Sequence, residues 1–202
     1  MSTDGGQLPR ILVADDGRPV TPVDGLATGL LLHDLDLPTL VDRSATERLP
    51  WAVDIDSVRG LKPDDTSIAF VVRRLGAIAV ISRRRQVAER AVELGAIGLV
   101  QVLAFDSTGL QRSRPVPGAP HHVGSVVSPG LVLPHLRPAE LECLPRPIVG
   151  HGLIVRPADA LSCLALADAI VLRRDAAGFL AMTLGRAPRD DLRTLTSIAV
   201  RE

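Results

Sequence analysis

Tyrosine is absent from this 202-residue chain, and it holds one tryptophan and three phenylalanines. The aromatic platforms on which many single-strand binders stack bases are therefore missing. Lysine occurs once, as Lys62, so every other basic residue is an arginine, and Schiff-base chemistry has a single candidate amine. The two cysteines, Cys143 and Cys163, stand far apart in apolar surroundings without metal-ligand spacing, and read as reduced thiols of a cytoplasmic protein. No apolar run approaches the ~18 residues of a membrane span, and the N-terminus lacks the basic-then-apolar order of a secretory leader. Net charge is zero, from 23 basic and 23 acidic residues, which excludes coating of a polyanion by bulk charge while leaving local patches.

What is present is a repeated pattern. Ile11-Leu-Val-Ala runs into Asp15-Asp16, Leu30-Leu-Leu-His into Asp34 and Asp36, Trp51-Ala-Val into Asp54 and Asp56, and Val100-Gln-Val-Leu-Ala-Phe into Asp106. Short apolar runs of this kind suit parallel strands buried on both faces, and ligands of α/β folds bind at the carboxyl ends of such strands. Strands are expected near 10–14, 30–33, 52–55, 77–82, 98–105, 123–127, 147–150 and 169–172. Helices are expected over 37–48, 64–75, 85–94, 131–141 and 157–166, with Leu94-Gly95 as a C-terminal stop and Pro157 in a first turn. Alternation of strand and helix implies right-handed βαβ units. The expected fold is a TIM-barrel-like α/β barrel of seven or eight parallel strands, closed or incomplete, because 202 residues lie at the lower limit for eight units. It fills one domain, 1–202, with a flexible tail over 1–8, a proline-rich loop at 113–121 and an added charged segment at 186–202.

From Trp51 to Leu172 an ordered series of motifs appears: Asp54-Ile-Asp56-Ser-Val-Arg-Gly60-Leu61-Lys62, Ile81-Ser82-Arg83-Arg84, Gln101-Val-Leu103-Ala-Phe-Asp106-Ser107, Pro129-Gly130-Leu-Val-Leu-Pro134 and Gly150-His151-Gly152-Leu153-Ile154. In order and spacing the series resembles the glycerol-3-phosphate-responsive antiterminator family, transcription regulators on a TIM-barrel-like fold. There are departures. The family's His-x-Asp is Asp54-x-Asp56 here, one glycine of its seventh-strand pair is His151, and its Thr-Thr-Ser after the last strand is replaced by Arg173-Arg174-Asp175. The resemblance implies a regulator of glycerol metabolism that binds glycerol 3-phosphate or a similar phosphorylated polyol. It also implies that the bound form contacts leader mRNA and prevents transcription termination, without turnover.

The residues allow definite chemistry beside that resemblance. Gly150 and Gly152, ahead of a helix start, supply the backbone N–H groups that grip phosphate, and Arg173 and Arg174 supply charge where the family has hydroxyls. Asp54 and Asp56 share a strand face and suit polyol hydroxyls or a Mg²⁺ bridging to phosphate, no other cofactor being expected; capping of the next helix suits Asp64 better. Lys62 is a phosphate point charge, a Schiff-base lysine or a surface residue, and its place between Gly60-Leu61 and Pro63 reads as loop. Ser82, Arg84, Gln101 and Asp106 complete the expected ligand set, with Gln101 either a contact or a core hydrogen-bonding residue. Arg84 should face the pocket. Arg83 and Arg85 should face RNA, forming a basic surface at the barrel mouth with Arg73-Arg74 and Arg173-Arg174. The histidines show no metal spacing, and Ser107 has no triad partners. The alternative function is a phosphosugar isomerase, aldolase or lyase using Asp54, Asp56 and Lys62.

Overall fold

The computed structural model describes residues 7–104 and 123–186, apart from 19, 21, 24 and 25. Its strands are β1 (Ile11–Ala14), β2 (Thr28–Leu32), β3 (Trp51–Asp54), β4 (Ala79–Ser82), β5 (Ile97–Leu103), β6 (Gly124–Ser128), β7 (Ile148–His151) and β8 (Ala169–Leu172). Each is parallel to the next, and β1 also pairs with β8 (Ile11 opposite Ile170, Val13 opposite Leu172), closing the barrel. The question of seven strands or eight is thereby settled at eight. Asp106, Ser107, the 113–121 loop, His121-His122, the 1–6 part of the tail and the segment after Arg186 lie outside the described residues.

Period-two alternation sorts each strand into two environments. One set faces the barrel axis: Leu12, Leu31 and Leu99 interdigitate with the small Ala52, Ala79 and Ala169. The other set, including Val13, Leu32, Val53, Val80, Val127 and Ile170, packs outward against the helices. Large residues facing small ones suit the interior of a barrel of this size.

The helices are α1 (Leu37–Thr46), α2 (Asp65–Ala69), α3 (Arg85–Glu93), α4 (Pro138–Glu142), α5 (Pro157–Leu164) and α6 (Arg174–Arg186). Asp36 and Asp64 cap α1 and α2, accepting from the backbone N–H of Thr39 and Ser67 at 2.9 Å each. Two expected helices are broken. The 64–75 helix opens into a π-helical turn over Phe70–Arg74. The 131–141 helix is a 3-10 turn, Gly130–His135, followed by α4, because Pro134 and Pro138 each lack the N–H an uninterrupted helix needs. Helix α6 was not expected from the sequence; it buries Ala176, Ala177 and Leu180.

The end of the barrel away from the site is stapled by arginine. Arg10 donates to the carbonyl oxygens of Leu164 (2.8 Å), Ala167 (3.2 Å) and Asp168 (3.2 Å), joining the start of β1 to the end of α5. Arg146 Nη1 donates to both Asp168 carboxylate oxygens, at 2.9 and 3.0 Å.

Candidate functional site

At the carboxyl ends of the strands, the axis-facing positions become polar. Alternation from Leu31, Ala52, Leu99, Val126 and Val149 leads to His33, Asp54, Gln101, Ser128 and His151. His33 acts electrostatically on both Asp54 and His151, so residues from β2, β3 and β7 share one space above the apolar barrel core. His33 Nδ1 lies 2.8 Å from Asp34 Oδ2. Desolvation, then repulsion from Asp56, raises the pKa of Asp54 above the ordinary carboxylate value. Desolvation, then the neighbouring His33, lowers that of His151.

These shifts predict pH effects of opposite sign. The folded chain holds the Asp54 proton more tightly than the unfolded chain, so this contribution to stability is present below pH 3.8 and lost as pH rises through the raised value. For His151 the ionised ring is disfavoured, so stability is lost as pH falls from 6.5 through the lowered value. Asp54→Asn should therefore gain stability relative to the parent chain between pH 3 and pH 7, measured by urea unfolding at both. A constant difference would place Asp54 in water.

Asp56 plays a different part. Its Oδ2 accepts from Ser82 Oγ at 2.9 Å and from the backbone N–H of Arg83 at 2.7 Å, while Arg84 Nη2 lies 3.4 Å from Oδ1. The Arg83 guanidinium stands 3.7 Å from the same carboxylate. Ser82 is buried on the outer face of β4 and also accepts from the backbone N–H of Arg84 at 3.1 Å. Asp56 and Ser82 thus tie the turn after β3 to the end of β4 and to Arg84. Arg84 also borders a shallow groove with Pro63, Asp65, Ile68, Gln86 and Val87. Arg85 belongs to α3 and leans on Glu89 at 3.9 Å. Lys62, the one lysine of the chain, is exposed in the loop before α2.

The loops after β6 and β7 are packed tightly together. Gly130 N–H donates to the Gly152 carbonyl at 3.1 Å, and Ser128 Oγ to that of His151 at 3.2 Å. Gly150 serves packing: a Cβ there would lie 2.9 Å from Leu133 Cδ1. Gly152 serves conformation, with φ +86° and no described atom nearer to a Cβ than Ser128 Oγ at 3.9 Å. Leu153 follows at φ 59°, exposed above the mouth.

The arginine runs do not merge into one surface. Arg73 and Arg74 end the helical segment that leads into β4, which places them at the opposite end of the barrel from the mouth. The expected basic surface therefore excludes them. Arg83–Arg85 follow β4 and Arg173-Arg174 follow β8, and strands four apart in an eight-stranded ring lie on opposite sides. Sequence reasoning passed over His33 as a mouth residue, although its spacing from Leu31 would have shown it.

A closed eight-stranded parallel barrel with interleaved helices and a polar ring at the carboxyl ends of its strands defines a TIM-barrel-like α/β protein. The glycerol-3-phosphate responsive antiterminator family matches residues 27–172, and the chain belongs to that family. Among solved structures it is similar to a glycerol uptake operon antiterminator-related protein from Thermotoga maritima, at 21% identity and TM-score 0.63, covering 84% of this chain and 96% of that one. It is also similar to the glycerol uptake operon antiterminator regulatory protein from Listeria monocytogenes, at 18% identity and TM-score 0.61, covering 80% and 90%. A deoxyribose phosphate aldolase from Aeropyrum pernix shares the fold at 16% identity and TM-score 0.53, covering 88% and 90%. No curated protein sequence matches. Among the described residues no helix is long and apolar enough to cross a membrane.

Proposed function

We propose that the mouth binds glycerol 3-phosphate or a similar phosphorylated polyol, and that the bound form contacts leader mRNA and prevents transcription termination. The observation that carries this reading is family membership over 27–172 together with the polar mouth of His33, Asp54, Gln101, Ser128 and His151. The polyol hydroxyls fall to Asp54 and Gln101, with Asp106 as a further contact, and the phosphate to the β7 and β8 side around Gly152. Asp56 and Ser82 act by holding Arg84 at the rim, and Gly150 by letting the 3-10 turn close on β7. Lys62, exposed in the loop after β3 and so across the ring from the β7 side, takes no part in holding the phosphate in this reading. A Mg²⁺ is not required by the reading; among the described residues no group of three or more acidic, histidine or cysteine side chains is placed to hold a metal ion.

Regulation requires that the ligand bind the RNA-competent state more tightly than the other. Leader RNA affinity should therefore rise when glycerol 3-phosphate saturates the protein, measured by filter binding or fluorescence anisotropy at fixed salt. Arg83 and Arg85 are proposed to meet RNA phosphate. Replacing both by alanine should leave ligand binding intact and flatten the salt dependence of RNA affinity by roughly 0.7 log units per lost contact. An unchanged slope would make them a solvated face. Phosphorus NMR of triose and pentose phosphates incubated with the protein should show no conversion. Efficient turnover would instead support the phosphosugar-enzyme alternative.

A further inference from the structure

Just past the mouth ends of β1 and β8, two arginines close on one carboxylate. Val13 pairs with Leu172, so Asp16 and Arg174 emerge side by side. Arg174 Nε lies 2.9 and 3.0 Å from the two Asp16 oxygens, and its Nη2 lies 2.6 Å from Oδ1. Arg18 turns back onto the same group, its Nε 3.0 Å from Oδ2 and its Nη2 also bonded to that oxygen. Arg174 further donates to the Arg18 carbonyl. Two guanidinium groups thus share one carboxylate beside the first turn of α6. Nearby, Arg173 is balanced by Asp175 at 3.6 Å.

Of the two adjacent carboxylates, Asp16 is the one that water reaches. Asp15 is almost wholly buried and fixed by Arg43, whose Nη2 and Nε approach it at 2.7 and 3.1 Å. Gly17, on the other side, has φ +83° and donates its N–H to Asp15 Oδ1 at 3.2 Å. Asp16 stands between them, one-third exposed to water (34%).

Guanidinium forks accept carboxylate and phosphate oxygens in the same geometry. We propose that Arg174 and Arg18 form the anion-binding fork of the mouth, that Asp16 occupies it in the unliganded chain, and that the phosphate of a phosphomonoester displaces Asp16. This rests on the reading of the mouth as a site for a phosphorylated ligand. A phosphomonoester carries nearly two charges at neutral pH and Asp16 carries one, so the exchange favours the ligand. The displaced carboxylate returns to water, and the 15–18 turn changes partners. That gives the ligand the difference in contacts between two states that regulation needs.

Calorimetric titration with glycerol 3-phosphate, inorganic phosphate and glycerol tests this on the parent chain, Asp16→Asn, Arg174→Gln and the double variant. Asp16→Asn should bind both phosphate compounds about three- to fivefold tighter, the scale of one exposed ion pair. Arg174→Gln should bind them about tenfold more weakly or worse, and the double variant should show no gain over it. Arg174→Lys, which keeps the charge without the fork, should fall between, and it replaces Arg174→Gln if that variant fails to fold. Glycerol should bind none of them measurably. A folded Asp16→Asn with unchanged or weaker phosphate affinity overturns the displacement. Parent-like binding by folded Arg174 variants overturns the fork and leaves the mouth reading standing. If neither phosphate compound binds the parent chain or Asp16→Asn, both readings fall together.

Discussion

Gly98→Ala is expected to destabilise the barrel by about 3 kcal/mol, the upper end of what overpacking usually costs. A Cβ at Gly98 would lie 2.0 Å from the Ala88 carbonyl oxygen, 2.7 Å from its carbon and 2.9 Å from Val92 Cγ2. Two of those atoms are helix backbone and have no rotamer by which to move aside. Relief would require α3 to lift off β5, opening the contact that Val87, Ala88 and Ala91 make with the sheet. Gly76→Ala provides the contrast. Its Cβ would meet no described atom within 4 Å, and the strain comes only from φ +84°, a cost of about 1 kcal/mol. Urea unfolding of the two variants should separate them clearly. A Gly98→Ala midpoint equal to that of the parent chain would mean that α3 does not sit against β5 as described.

Gly152→Asp should weaken glycerol 3-phosphate binding about tenfold or more, at least about 1.4 kcal/mol, whereas Gly152→Asn should lose much less. Asn and Asp tolerate the left-handed region better than other side chains, so the backbone at φ +86° treats the two alike. Neither meets crowding, since Ser128 Oγ at 3.9 Å is the nearest described atom to their Cβ. What separates them is one negative charge on the side of the mouth assigned to phosphate. Calorimetry on both variants isolates that charge, and equal losses would point to backbone strain in place of anion repulsion. Parent-like affinity in both would move the phosphate away from β7.

The barrel was legible because its strands alternate so regularly. Ile11-Leu-Val-Ala and Ala169-Ile-Val-Leu read as buried strands without any partner in view, and the family motifs lie within the matched span. Helix α6 was not legible, because Arg173-Arg174-Asp175 looks like a polar break and Gly178 dilutes the helical signal. Its evidence is the spacing of Ala176, Ala177 and Leu180, which only the packed structure turns into a buried stripe.

At the mouth, residue type was easier to read than orientation. Ser82 and Asp54 both end strands, yet a difference of one register position sends Ser82 to the outer face, where it binds Asp56, and Asp54 toward the axis. The carboxylates after β1 and β2 proved to have separate fates. Asp15 is matched by Arg43, Asp16 by Arg18 and Arg174, and Asp36 by the backbone of α1. Arg43 lies 28 positions from Asp15 and Arg174 lies 158 from Asp16, and partners so distant leave no local signature. The arginine doublets show the same limit, because a sequence does not say at which end of a barrel Arg73-Arg74 will stand.

The Arg10 staple and the β1–β8 seam bear on how the chain is made. Arg10 donates to carbonyl oxygens as far as 158 positions later in the chain, and Ile11 pairs beside Ile170. On a ribosome adding about 5–20 residues per second, β1 would wait roughly ten to thirty seconds for the strand that completes its hydrogen bonding. Throughout that interval it presents an unpaired apolar edge, the kind of surface that joins other nascent chains. Ring closure is thus the late, long-range event of biogenesis. Truncation before β8 should leave a chain that depends on chaperones and cannot seal itself.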